Sequence, residues 1–111
     1  MSGEIIVLVT SANGDEASKI AEALVRERLA ACVNIAPQIE SVYRWQGEVE
    51  TATEWLLLIK TTAGAFHKVR EALGKLHSYD LPECIEIKIE NGSAGYLDWI
   101  GSSVGGSQSS D

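Results

Sequence analysis

A chain of 111 residues, 45% of them hydrophobic, can build one folded core and is too short for two. Sixteen acidic residues against nine basic ones give a formal net charge of -7, which argues against nucleic acid or an anionic membrane as partner. No apolar run exceeds five residues, the length of WLLLI at residues 55–59, far short of the roughly 20 residues that span a bilayer.

In chain order, residues 4–10 (EIIVLVT) form a short β-branched apolar run, expected to be a buried strand closed by the turn Ser11-Ala12-Asn13-Gly14. The opening segment, with an acid ahead of that run, is not expected to be a signal peptide. Asp15 and Glu16 then begin a helix, placed where carboxylates meet the positive end of its dipole. Ala17, Ile20, Ala21, Leu24, Val25 and Leu29 recur at helical steps and predict an amphipathic helix packed on a sheet. Residues 30–45 read as extended, with Pro37 marking a bulge or edge because it has no N–H for a ladder. Ile39, Ser41, Tyr43 and Trp45 share one face by the period of two. Gln46-Gly47 is a turn, and residues 48–61 return as the second strand of a long hairpin.

A second helix is expected over residues 63–77, with Thr62 as its N-cap and Phe66, Val69, Leu73 and Leu76 as its apolar stripe. Residues 84–90 alternate Ile85, Ile87 and Ile89 with Glu86, Lys88 and Glu90, predicting a strand with one buried and one wet face. A short last helix contains Tyr96, Leu97, Trp99 and Ile100. The order β-α-β-β-α-β plus a terminal helix implies an α+β, ferredoxin-like sandwich as one domain over residues 1–104. Residues 105–111, rich in Gly and Ser, are expected to be a disordered tail.

The run at residues 55–59 is apolar on both faces, although this fold has helices for one face only. Tyr43, Trp45, Trp55 and Leu57 are therefore candidate anchors of a self-association surface. Asn34, Tyr43, Lys60 and Glu83 are polar groups in otherwise apolar surroundings, as expected of a ligand cleft or of buried groups satisfied across a subunit seam. Cys32 and Cys84 have neither CxxC nor zinc-type spacing, and reduced, packed thiols are the expectation.

Five stretches carry a resemblance to a known family: LAACVNI at residues 29–35, SVYRWQGEVE at 41–50, Lys60-Thr61, HSYDLPE at 77–83 and YLDWI at 96–100. In order and spacing the chain resembles the CutA divalent-cation-tolerance proteins. The resemblance implies a cytoplasmic homotrimer with a PII-like assembly, in which long hairpins reach neighbouring subunits. It also implies tolerance of copper or another divalent cation, without catalysis. His77 matches the family's histidine and is a candidate ligand for a soft metal, with Cys32 as a second. Metal-binding members carry further ligands at the positions of Val9 and Leu76, neither of which can bind a metal. The alternative implied role is a PII-like trimeric metabolite sensor or scaffold with no physiological metal. An acylphosphatase-like enzyme is disfavoured, because Asp15 and Glu16 follow the first strand where an anionic substrate would need a cation.

Overall fold

The computed structural model describes residues 3–105, which form a four-stranded antiparallel sheet with three helices. The strands are β1 (Glu4–Ser11), β2 (Cys32–Trp45), β3 (Glu48–Thr62) and β4 (Ile85–Lys88), ordered β2-β3-β1-β4 across the sheet. The helices are α1 (Gly14–Arg26), α2 (Phe66–Leu76) and α3 (Ala94–Ser103). The expected ferredoxin-like order is therefore the observed one.

The period of two along β1 divides the molecule. Ile5, Val7 and Val9 point to one face and are buried with Leu57 and Ile59 of β3. Ala17, Ile20 and Leu24 of α1, with Val69 and Leu73 of α2, close over that face to complete the core. Removing a side chain of this size from water contributes about 1.5–3 kcal/mol.

Local chemistry fixes the element ends. Asn13 caps α1, its Oδ1 accepting the Glu16 N–H at 2.8 Å. Beyond α1, Arg28 adopts a left-handed backbone (φ 60°), a conformation that costs a side-chain-bearing residue roughly 1–2 kcal/mol. Its guanidinium offsets this by donating to the carbonyls of Ser102 and Gly105, so the end of α1 holds the end of α3. Gly105, the first residue of the expected tail, is thereby tied down, and its N–H also donates to Arg28 O. The remainder of that tail lies outside the described residues.

The hairpin turns through Gln46 (φ 51°) and Gly47 (φ 84°), the pair of positive φ values that fits a two-residue turn to the strands' right-handed twist. Pro37 marks a bulge as expected. Ala36 pairs with Leu56 but Ile39 pairs with Glu54, so β2 gains one residue there, and Gln38 absorbs it at φ 56°. The extra residue inverts the alternation. Before the bulge Cys32, Asn34 and Ala36 lie on the face away from α1 and α2, and after it Ile39, Ser41, Tyr43 and Trp45 do.

Three expectations change. Thr62 makes no side-chain cap; the chain enters α2 through a 3-10 turn, Ala63–Ala65. The last strand is four residues long, not seven. Its isoleucines are not buried within the chain: Ile85 is 51% exposed and Ile87 44%, because their partners Leu8 and Ile6 lie on the face that α1 and α2 leave uncovered. α3 covers one end of that face, burying Ile100 and placing the Tyr96 ring 5.7 Å from Lys60 Nζ.

Candidate functional site

Residues 77–83, between α2 and β4, form a strap across the ends of β1 and β3, and hydrogen bonds from His77, Ser78 and Tyr79 hold it. His77 Nε2 lies 2.6 Å from Thr10 O, which can only accept, so Nε2 carries the proton. His77 Nδ1 accepts the Tyr79 N–H at 3.0 Å, and the two rings pack with centroids 4.7 Å apart. Both ring nitrogens are thus engaged, and a metal could reach either only by displacing a hydrogen bond.

Two carboxylates hold the rest. Glu16 accepts the Ser78 N–H at 2.6 Å through one oxygen and the Ser11 hydroxyl at 2.7 Å through the other. Burial alone would raise the Glu16 pKa, but the hydrogen bonds from Ser11 and Ser78 outweigh it and hold the group below its ordinary value. Glu54, 8% exposed, accepts the Tyr79 hydroxyl at 2.7 Å. Burial, then the bond to Glu54, pushes the Tyr79 phenol well above its usual range.

Strap and hairpin enclose a cleft of about 660 Å³ on the open face of the sheet. Tyr43, Trp45, Glu50 and Glu54 line it from the hairpin, and Tyr79, Asp80 and Glu83 from the strap. No lysine, arginine or histidine is among its described lining residues. Glu83 is accordingly pushed up, first by burial and then by the charge of Glu54. The cleft presents carboxylate oxygens and aromatic faces, a donor set that favours cations over anions.

The structure divides the sequence-predicted site residues. Tyr43 and Glu83 meet in this cleft. Asn34 and Lys60 do not: Lys60 pairs with Cys32, and Asn34 Oδ1 lies 3.8 Å from Cys32 Sγ. Lys60 is six residues from Glu54 along β3, about 20 Å of strand. His77 and Cys32 do not converge within the chain either, since His77 bonds Thr10 opposite Leu56 while Cys32 lies opposite Lys60. Among the described residues, no group of three or more His, Cys, Asp or Glu side chains is arranged to hold a metal. Burial raises the Cys84 thiol, with Arg70 acting against it, and Cys84 packs on the core.

Two of the four proposed interface anchors need correction. Leu57 is fully buried in the chain's own core and offers no surface to a partner. Trp55 packs against that core beside Gly14. Both point to the helix-covered face, and the open face instead carries their neighbours Leu56 and Leu58. Tyr43 and Trp45 do stand exposed there, at 41% and 45%. Glu16, Glu54 and Tyr79 were missed as strap ties. Glu54 left a signal, an acid directly ahead of the apolar run at residues 55–59.

The fold belongs to the ferredoxin-type α+β class, in the PII-like form shared by solved structures of CutA1 proteins. A family model, the CutA1 divalent ion tolerance protein, matches residues 5–103, and the chain belongs to that family. It is 50% identical over 102 residues to the divalent-cation tolerance protein CutA of Thermus thermophilus, covering 92% of this chain and 99% of the relative. The solved Thermus structure superposes with a TM-score of 0.90 over the same shares of the two chains. The chloroplastic protein CutA of Arabidopsis thaliana is 46% identical over 90% of this chain, which spans 55% of that protein. A structure from Archaeoglobus fulgidus, described as a periplasmic divalent cation tolerance protein, is 39% identical with a TM-score of 0.88, covering 92% of this chain and 99% of its own. Named compartments therefore differ among relatives, and no described helix here is long and apolar enough to cross a membrane.

Proposed function

We propose that the chain is one domain acting as a homotrimeric, non-catalytic binding protein in the response to divalent cations, copper first among them, in the cytoplasm. The observation that carries this reading is the uncovered half of the sheet. Ile6, Leu8, Leu56, Leu58, Ile85 and Ile87 share a face that α3 covers at one end only, next to an exposed hairpin bearing Tyr43 and Trp45. Such a surface requires a partner, and most soluble oligomers are symmetric assemblies of one chain. The relatives' names support a cation role, and the carboxylate cleft beside this face supplies oxygen donors. His77 and Cys32, separated within the chain, would bind a shared ion only if neighbouring subunits brought them together. The engagement of both His77 nitrogens also removes it as a free base, which supports a non-catalytic role. The acidic balance and two free cysteines support a reducing compartment.

The same engagement of His77 favours a second reading, a PII-like metabolite sensor or scaffold in which metal is incidental. A native mass spectrum under reducing conditions, with and without copper(I), separates the two. A mass three times the 12.0 kDa chain with whole-number copper uptake supports the first. The same mass with no copper retained supports the second. A 12.0 kDa monomer overturns the trimer and the argument from the open face.

A further inference from the structure

The chain contains two Asn-Gly pairs, Asn13-Gly14 and Asn91-Gly92, and folding treats them oppositely. Such a pair can modify itself, because glycine has no side chain to keep its peptide nitrogen from the asparagine carbonyl. The nitrogen loses its proton to a base in the solvent and bonds to Cγ of the asparagine. The Cγ–Nδ2 bond breaks, ammonia leaves, and a five-membered imide results. Water then opens the imide at Cγ to give aspartate, or at the main-chain carbonyl to give isoaspartate.

At Asn13 the fold obstructs the first step. Oδ1 is held by the Glu16 N–H at 2.8 Å, and the main-chain carbonyl accepts the Ala17 N–H at 3.1 Å. Gly14 is the first residue of α1 and lies against the Trp55 ring, where an added Cβ would stand 3.2 Å from Trp55 Nε1. Attack would have to break the cap and lift Gly14 out of the helix.

Asn91 and Gly92 lie between β4 and α3, outside regular structure and exposed. Among the described residues, neither the Asn91 side chain nor the Gly92 N–H has a hydrogen-bond partner. Gly92 packs beside the Leu97 side chain, where an added Cβ would stand 3.2 Å from Cδ2, but the main-chain hydrogen bonds among the described residues lie to either side: Ile89 N–H donates to Glu4 O, and Ser93 O accepts the Leu97 N–H.

We propose that Asn91 is a deamidation site of the folded protein and that Asn13 is protected by its role as a helix cap. Conversion adds one negative charge beside Glu90. In the isoaspartate form it also inserts a methylene into the backbone between the Ile89 anchor and α3. Because α3 carries the buried Ile100 and the Tyr96 ring beside Lys60, the modification loosens the seat of the helix that covers the open face.

The test ages the full-length protein at mildly alkaline pH, digests it with trypsin, and follows both sites by mass. Residues 1–19 and 89–111 fall in separate peptides, each with one Asn-Gly. In the folded protein Asn91 converts about ten-fold faster than Asn13 or more, the factor set by loss of one helix cap. In denaturant the two rates converge. Asn91→Gln, whose ring closure is disfavoured, leaves the 89–111 peptide unchanged. Equal rates in the folded protein overturn the proposal, and so does an Asn91 that persists when folded yet converts when unfolded.

Discussion

In the two central strands both faces of the sheet carry aliphatic side chains, and their fates are opposite. Along β1, Ile5, Val7 and Val9 are closed in by α1 and α2, while Ile6 and Leu8, interleaved with them, look the other way. Along β3, Leu57 and Ile59 go to the core, and Leu56 and Leu58 to the open face. Hydrophobicity alone does not say which residues hold the chain together and which are left uncovered. The parity of the position does, and the bulge at Pro37 and Gln38 resets that parity in the hairpin.

The comparison breaks most sharply with one substitution on each face. Leu57→Ala should remove about 2–5 kcal/mol of folding stability, read from a denaturant titration, because it opens a cavity in a closed core. Ile87→Glu, in the uncovered strand, should leave far-ultraviolet circular dichroism unchanged and lower the native mass of the proposed trimer toward that of one chain. If Ile87→Glu instead unfolded the chain and left the mass of the remaining folded fraction unaltered, the division into core face and partner face would be wrong.

Much of this was legible in the sequence because it rests on local periodicity. The β1 run, the α1 stripe, the Gln46-Gly47 turn and the Pro37 bulge all follow from spacing and from residues with restricted backbones. Leu57 was misassigned because a run apolar on both faces gives no internal sign of which face meets the helices. Ile85 and Ile87 were misplaced for the same reason: alternation defines two faces of a strand without saying which is covered. The strap ties were not legible, since Ser11, Glu16, Glu54 and Tyr79 come from β1, α1, β3 and the strap, and no short motif records the two ties that they form. Within the quartet Asn34, Tyr43, Lys60 and Glu83, only the two that flank the cleft came together.

The strap offers a smaller contrast, between a tie through a neutral donor and the charges around it. Tyr79→Phe removes the hydroxyl from Glu54 and leaves a mostly buried carboxylate without that donor, at a loss of about 1–3 kcal/mol. A thermal melt at neutral pH checks this. The loss should shrink when Glu54 is also changed to Gln, because an amide left without the donor is less costly than a charge.

The smallest and most specific effects oppose each other in sign at two glutamates, Glu16 of α1, which holds the strap, and Glu83 within it. Glu16 has a folded pKa below its ordinary value of 4.5, so it contributes stability above that value and loses it as pH falls through the depressed one. Glu16→Gln should therefore lower the melting temperature at neutral pH, with the difference fading in acid. Glu83 has a folded pKa above 4.5, so its contribution is complete below that value and is lost as pH rises through the raised one. Glu83→Gln should then raise the melting temperature at neutral pH, again with no difference in acid. Both groups are partly solvated, so shifts of a few degrees or less are expected. Melts of both variants from neutral to acidic pH would decide it. A Glu83→Gln curve displaced downward at neutral pH would mean that burial and the Glu54 charge do not oppose ionisation of Glu83, and a Glu16→Gln curve displaced upward that the bonds from Ser11 and Ser78 do not outweigh the burial of Glu16.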